Sequence, residues 1–121
     1  MQRAMAFHSF AVAGIPAAAG SDFSPGPFAP LMGIQGMVTR TGWNGETWGA
    51  NQRIGVDEAL RVVTINGAYA SHEDAIKGSI TPGKLADFVV LADDPHTVDP
   101  NKIKDVAIVR TVAGGHTVYQ A

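Results

Sequence analysis

The chain has 121 residues, 45% of them hydrophobic, which suits one soluble domain with a core of its own and argues against disorder. Nine basic and eleven acidic residues give a net charge of -2, scattered along the chain, so no basic stripe exists to neutralise phosphates and no nucleic-acid partner is expected. Cysteine is absent, which removes disulfides, a thiolate nucleophile and thiolate zinc sites together. No apolar run approaches the roughly 20 residues of a membrane-crossing helix, so no membrane partner is expected either.

Arg3, the apolar run from Ala4 to Ile15 and the small residues Ala17-Ala18-Ala19-Gly20 imitate a secretory leader. His8 and Ser9 interrupt that run, and Gly14-Ile15-Pro16 turns it into a second apolar stretch, so the expected setting is the cytoplasm. Met5, Phe7, Phe10 and Ala11 are spaced for one side of a helix over Gln2 to Val12, with Gly14 as its stop. Ile15 to Ala19 is too short for a helix with a core face and fits a strand buried on both sides. Asp22 then falls at the carboxyl end of that strand, before the Ser24-Pro25-Gly26-Pro27 break, where α/β folds place active sites.

Pro30 to Arg40 predicts a helix with Leu31, Ile34, Met37 and Val38 on one face. The loop from Thr41 to Gly55 carries both tryptophans, Trp43 and Trp48, and long ordered loops of this kind are often lids. Val56 to Val63 is again helical, with Asp57 and Glu58 favourably placed near the positive end of the helix dipole, and helix continues for a turn or two through Ala70. After Lys77 the pattern changes to strands: Asp87 to Leu91, Val106 to Val112, and Thr117 to Tyr119 across a Gly114-Gly115 turn. The expected division is therefore 1–77 and 78–121.

Gly20-Ser21-Asp22, the run from Trp48 to Ile54, Asp57-Glu-Ala-Leu-Arg with Thr64-Ile-Asn-Gly-Ala-Tyr-Ala, and above all Lys77-Gly-Ser-Ile-Thr-Pro-Gly-Lys-Leu-Ala-Asp-Phe-Val-Val-Leu form a set. It resembles the metal-dependent amidohydrolases, in particular amidohydrolase family 3. Asp94-Pro95, Val98-Asp99-Pro100 and the closing Val112-Ala-Gly-Gly-His-Thr-Val-Tyr extend the likeness over almost the whole chain. The resemblance implies an α/β fold: the C-terminal piece of a (β/α)8 barrel of the TIM type, Ile15 to Ser21 being its eighth strand, followed by strands of a composite β-sandwich.

It also implies a divalent metal, with zinc the expected ion, and a small amide-type substrate for the complete enzyme. Asp22 becomes the aspartate closing the metal site, a ligand or close neighbour that moves protons. A carboxylate beside a metal-bound hydroxide can take its proton and pass it to a leaving nitrogen. The family's metal-binding histidines would lie upstream of Met1, and a barrel of this class needs on the order of 250 residues. The chain alone is thus expected to hold no metal, to be inactive, and to self-associate through unpaired strand edges.

Blander roles stand beside these. Asp22 in Ser-Asp before a Pro-Gly loop is also ordinary turn chemistry. His8, His72, His96 and His116 share no metal-gripping spacing. Trp43 and Trp48 either border a substrate pocket or pack their own loop. Lys84 and Asp87, in the Pro-Gly-Lys-Leu-Ala-Asp context, belong to a turn entering a strand, with Gly83 there for the turn. The alternative to a hydrolase part is a non-catalytic, β-rich assembly module.

Overall fold

A computed structural model describes residues 5–24 and 26–121. Helix α1 is Phe7–Val12, and Gly14 at φ +68 reverses the chain after it, letting the Ile15 amide reach back to Phe10 O at 2.9 Å. Most of the helix stays at the surface. Its firm anchor is polar: Ser9 N donates to Oε1 of the buried Gln52 at 3.0 Å, and Gln52 Nε2 donates to Ser9 Oγ at 2.9 Å. The first residues of the expected helix, Gln2 to Ala4, lie outside the described residues.

Residues 15–20, the expected strand, pair with no other strand among the described residues. A strand buried in a parallel sheet needs neighbours beside it, and the described residues supply one sheet only, antiparallel and late in the chain. The segment is pinned by helices instead. Asn66, 6% exposed, donates from Nδ2 to Ala17 O at 2.9 Å, and Ala19 N donates to Val62 O at 3.4 Å.

Helix α2 is Pro30–Thr39, started by Pro30, whose missing N–H costs nothing in a first turn. It ends at Arg40, left-handed at φ +59, whose amide closes on Gly36 O. Ile34 and Met37 point inward, as the periodicity predicts. The loop beyond it is a small hairpin rather than an open lid: Thr41 bridges Thr47, and Trp48 N donates to Arg40 O at 2.9 Å. A 3-10 turn, Ala50–Gln52, leads into α3, Val56–Val63, and α4, Ile65–Ala70.

The sheet contains β1, Phe88–Leu91, β2, Ile108–Ala113, and β3, His116–Gln120, antiparallel in that order. Phe88 lies opposite Val112, and Arg110 opposite Gln120. Gly114 and Gly115, at φ +56 and +81, make the tight hairpin between β2 and β3, a conformation that demands positive φ twice. β2 begins two residues later than the valine pattern suggests, because Val106 is occupied in closing a 3-10 helix, Pro100–Asp105, on Ile103 O. Asp99 caps that helix by accepting from Asn101 N at 2.9 Å.

Ile103 of this helix is fully buried and joins Ile34, Met37, Ile54, Ala59 and Val62 in one core, with Leu31, Val56 and Val98 packed around it. Lys104 N donates to Gln35 Oε1 at 3.0 Å on the same contact. The helices therefore share this core with Val98 and Ile103 from the strand-rich segment. The chain is α/β, with helices leading and an antiparallel sheet closing it.

Candidate functional site

Asp22 follows the 15–20 segment after Ser21, and Phe23 N folds back onto Ser21 Oγ at 3.3 Å. At φ +51 Asp22 occupies the left-handed region, which aspartate enters more readily than most residues because its short side chain can satisfy local groups. Its side chain is exposed. Strained backbone of this kind clusters at functional positions, where it aims a side chain.

Beside it opens a cleft of about 750 Å³ between Ala18–Ser21 and the start of α2, with Phe28, Met32 and Gly36 on its far wall. Trp43, at the tip of the 41–48 hairpin and 85% exposed, lines this cleft, and Arg40 stands beside it. Arg40 is held by donating from Nε to Trp48 O at 3.1 Å and from an NH group to Met5 O at 3.3 Å. The structure thus brings Ser21 and Trp43 together, with Asp22 one residue beyond the lining. Trp48 is half exposed and is not among the residues lining the cleft.

Among the described residues no three histidine, aspartate or glutamate side chains converge to hold a metal ion. The described residues of this chain therefore do not by themselves form a metal site around Asp22. His8 lies exposed on α1, His72 follows α4 at φ +59, and His116 opens β3.

Lys84 Nζ donates to Ser79 Oγ at 2.8 Å, and Asp87 Oδ1 accepts from Gly114 N at 2.6 Å. The lysine thus clasps its own turn, while the aspartate secures the hairpin on the neighbouring strand. His96 is the surprise. Its Nδ1 lies 2.7 Å from Asp94 Oδ1 and its Nε2 2.8 Å from Asp57 Oδ1, a contact across 39 residues of sequence. Only the local half of that pair, Asp94-x-His96, has a signal in the sequence, that of an Asx turn.

The sequence pattern of the amidohydrolase family matches residues 5–119. The putative amidohydrolase YtcJ of Bacillus subtilis is 34% identical over 123 residues, covering 99% of this chain and 23% of that protein. The N-substituted formamide deformylase of Arthrobacter pascens is 32% identical over 108 residues, covering 89% of this chain and 20% of the enzyme. In three dimensions, an amidohydrolase from Thermotoga maritima superposes with a TM-score of 0.70 at 21% identity, over 95% of this chain and 26% of its own. The chain spans about a quarter or less of the length of these relatives and shares their fold through nearly all of its own residues. It belongs to the amidohydrolase family.

Proposed function

We propose that this chain is the C-terminal portion of a metal-dependent hydrolase of carbon-nitrogen bonds in non-peptide amides, working in the cytoplasm. Residues 1–77 would serve as the last strand and helices of a (β/α)8 barrel, and 78–121 as a share of a composite β-sandwich, the two parts sharing one core. The observation that carries this is the family pattern over residues 5–119, with Asp22 held left-handed where the 15–20 segment ends. The name of the Arthrobacter relative supports an amide-type substrate.

Asp22 is the one carboxylate this chain would bring to the chemistry, as a metal ligand or as the group that holds a proton for the departing nitrogen. Divalent metal, zinc by expectation, would depend on ligands from outside this chain. Trp43, on the cleft, is the better placed substrate contact, and Trp48 the weaker.

A hybrid tests this reading: the chain replaces the matching stretch of the Arthrobacter deformylase, and hydrolysis of an N-substituted formamide is followed. The hybrid should be active, and Asp22→Asn should lower kcat by about 100-fold or more at unchanged circular dichroism, in line with the loss of a positioned acid-base group. Full activity in the Asn variant would sink the assignment, as would a folded but inactive hybrid that keeps Asp22. The 121-residue chain alone should show no amide hydrolysis.

The second reading, an assembly module, is favoured by the sheet. β1 and β3 each pair on one side only among the described residues, and Val89, Val118 and Tyr119 are at least half exposed. Unpaired edges next to apolar side chains favour self-association. Light scattering of the purified chain should give a dimer or larger species, and a monodisperse monomer would count against it.

A further inference from the structure

His96 sits on the seam between the strand-rich segment and α3, and its surroundings are built rather than incidental. Asp94 Oδ1 accepts from His96 N at 2.9 Å as well as facing Nδ1, while Asp94 O accepts from Thr97 N at 2.9 Å and from Thr97 Oγ1 at 3.0 Å. This compact turn fixes the ring. Pro95 within it is buried, and Val98 just after it packs on the core that α3 also lines. Asp57, on the other side of the ring, belongs to the first turn of α3.

Both partners of the imidazole are carboxylates, which when ionised only accept hydrogen bonds, and a neutral imidazole has a single N–H to give. Two simultaneous hydrogen bonds therefore require the imidazolium. When the proton leaves for solvent, one ring nitrogen presents a lone pair to a carboxylate, and one contact must open. The Asp94 contact is held by its own turn, whereas the Asp57 contact depends on two segments staying together. The Asp57 contact is the one that opens.

We propose that His96 is a proton-operated latch: protonated, it ties the 93–106 segment to the first turn of α3, and deprotonated, it releases Asp57 and loosens that seam. The other charged residues of the elements around it are Glu58 and Arg61 on α3, Asp93 and Asp99 flanking its turn, and Lys102, Lys104 and Asp105 on the 3-10 helix. None of these bonds His96 among the described residues. Lys104 pairs with Asp105 at 2.6 Å, and Asp99 is engaged by Asn101.

Hydrogen bonds to Asp94 first and Asp57 second raise the proton affinity of His96 above the ordinary histidine value. Those from His96, its backbone amide foremost, hold the Asp94 carboxyl below the usual aspartate value. A raised histidine pKa contributes stability that is complete below the unfolded-state value and is lost as pH rises through the folded-state value. The lowered Asp94 adds the opposite limit, opening the latch again when that carboxyl takes up a proton in acid. The latch is closed in the mildly acidic range between the two.

The test is an NMR titration of the imidazole nitrogens in the 121-residue chain, with amide hydrogen exchange at residues 57–59 and 96–98 at pH 5.5 and 8.5. His96 should bind its proton more tightly than histidine in an unstructured peptide, and Asp57→Asn should weaken that binding. Corrected for the intrinsic rate at each pH, exchange at these amides should quicken at the higher pH in the native chain. In His96→Gln, which has no proton to lose, exchange should be fast at both pH values once corrected for intrinsic rate. A His96 midpoint level with that of the unstructured peptide, or one that Asp57→Asn leaves in place, overturns the latch. So does an unchanged pH response in His96→Gln.

Discussion

Ile103→Ala is expected to destabilise the chain by about 3 kcal/mol, read as a lower denaturation midpoint at constant m-value. Ile103 has no exposed surface, and its neighbours Ile34, Met37 and Val62 belong to helices that cannot close in without dragging their own backbones. Truncation therefore costs both the transfer free energy of three carbons and the cavity they leave. Ile103→Val should cost about 1 kcal/mol, and Val118→Ala, at a position 62% exposed, less than about 0.5 kcal/mol. A loss below about 1 kcal/mol for Ile103→Ala would mean that the 3-10 helix does not dock on α2 in solution.

Gly78→Ala should be comparably harmful for a different reason. A Cβ there would lie 2.7 Å from Ala68 Cβ and 3.1 Å from Ile65 Cα, and Gly78 also holds φ at +90. The obstruction is a short side chain and a helix backbone, neither of which can rotate away. Overpacking costs about 1–3 kcal/mol and the strained φ about 1–3 kcal/mol more, so a loss of about 3 kcal/mol is expected. Gly83 separates the two contributions: at φ +91 it is equally left-handed, yet nothing lies within 4 Å of its Cβ position. Gly83→Ala should show the backbone cost alone, and Ala68→Gly should partly rescue Gly78→Ala. Equal losses at Gly78 and Gly83 would show that the close approach to α4 is absent.

The elements that sequence made legible are those whose causes are local. α2 declares itself through Pro30 and the inward stripe of Ile34 and Met37, α3 through its acidic first turn, and the β2–β3 hairpin through Gly114-Gly115. The 15–20 segment has strand-like residues, but pairing is a property of neighbours, and helices supply its anchors. The 3-10 helix at 100–105 was missed although Asp99-Pro100 is a sound start signal, because a single buried isoleucine makes no periodicity.

The candidate site divides the same way. Asp22 is singled out in sequence by the apolar run that ends before it and the turn chemistry of Gly20-Ser21-Asp22, and the structure adds its left-handed backbone. Trp43 and Trp48 were not separable in sequence, since a hairpin between them sends one to the cleft and leaves the other outside it. His96 with Asp57 was illegible for a plain reason: charges 39 residues apart meet only after Val98 and Ile103 have found the core.

That shared interior has a consequence for inheritance. By connectivity, the turn region around Gly78 looks like a natural place for recombination to exchange one half of the chain for a relative's. By packing it is a poor one, because α2 would then meet a stranger's residue in place of Ile103 and lose the Gln35 contact to Lys104. Substitutions at Ile34, Met37 and Ile103 have to suit one another, so the helices and the 3-10 helix at 100–105 are inherited as one unit.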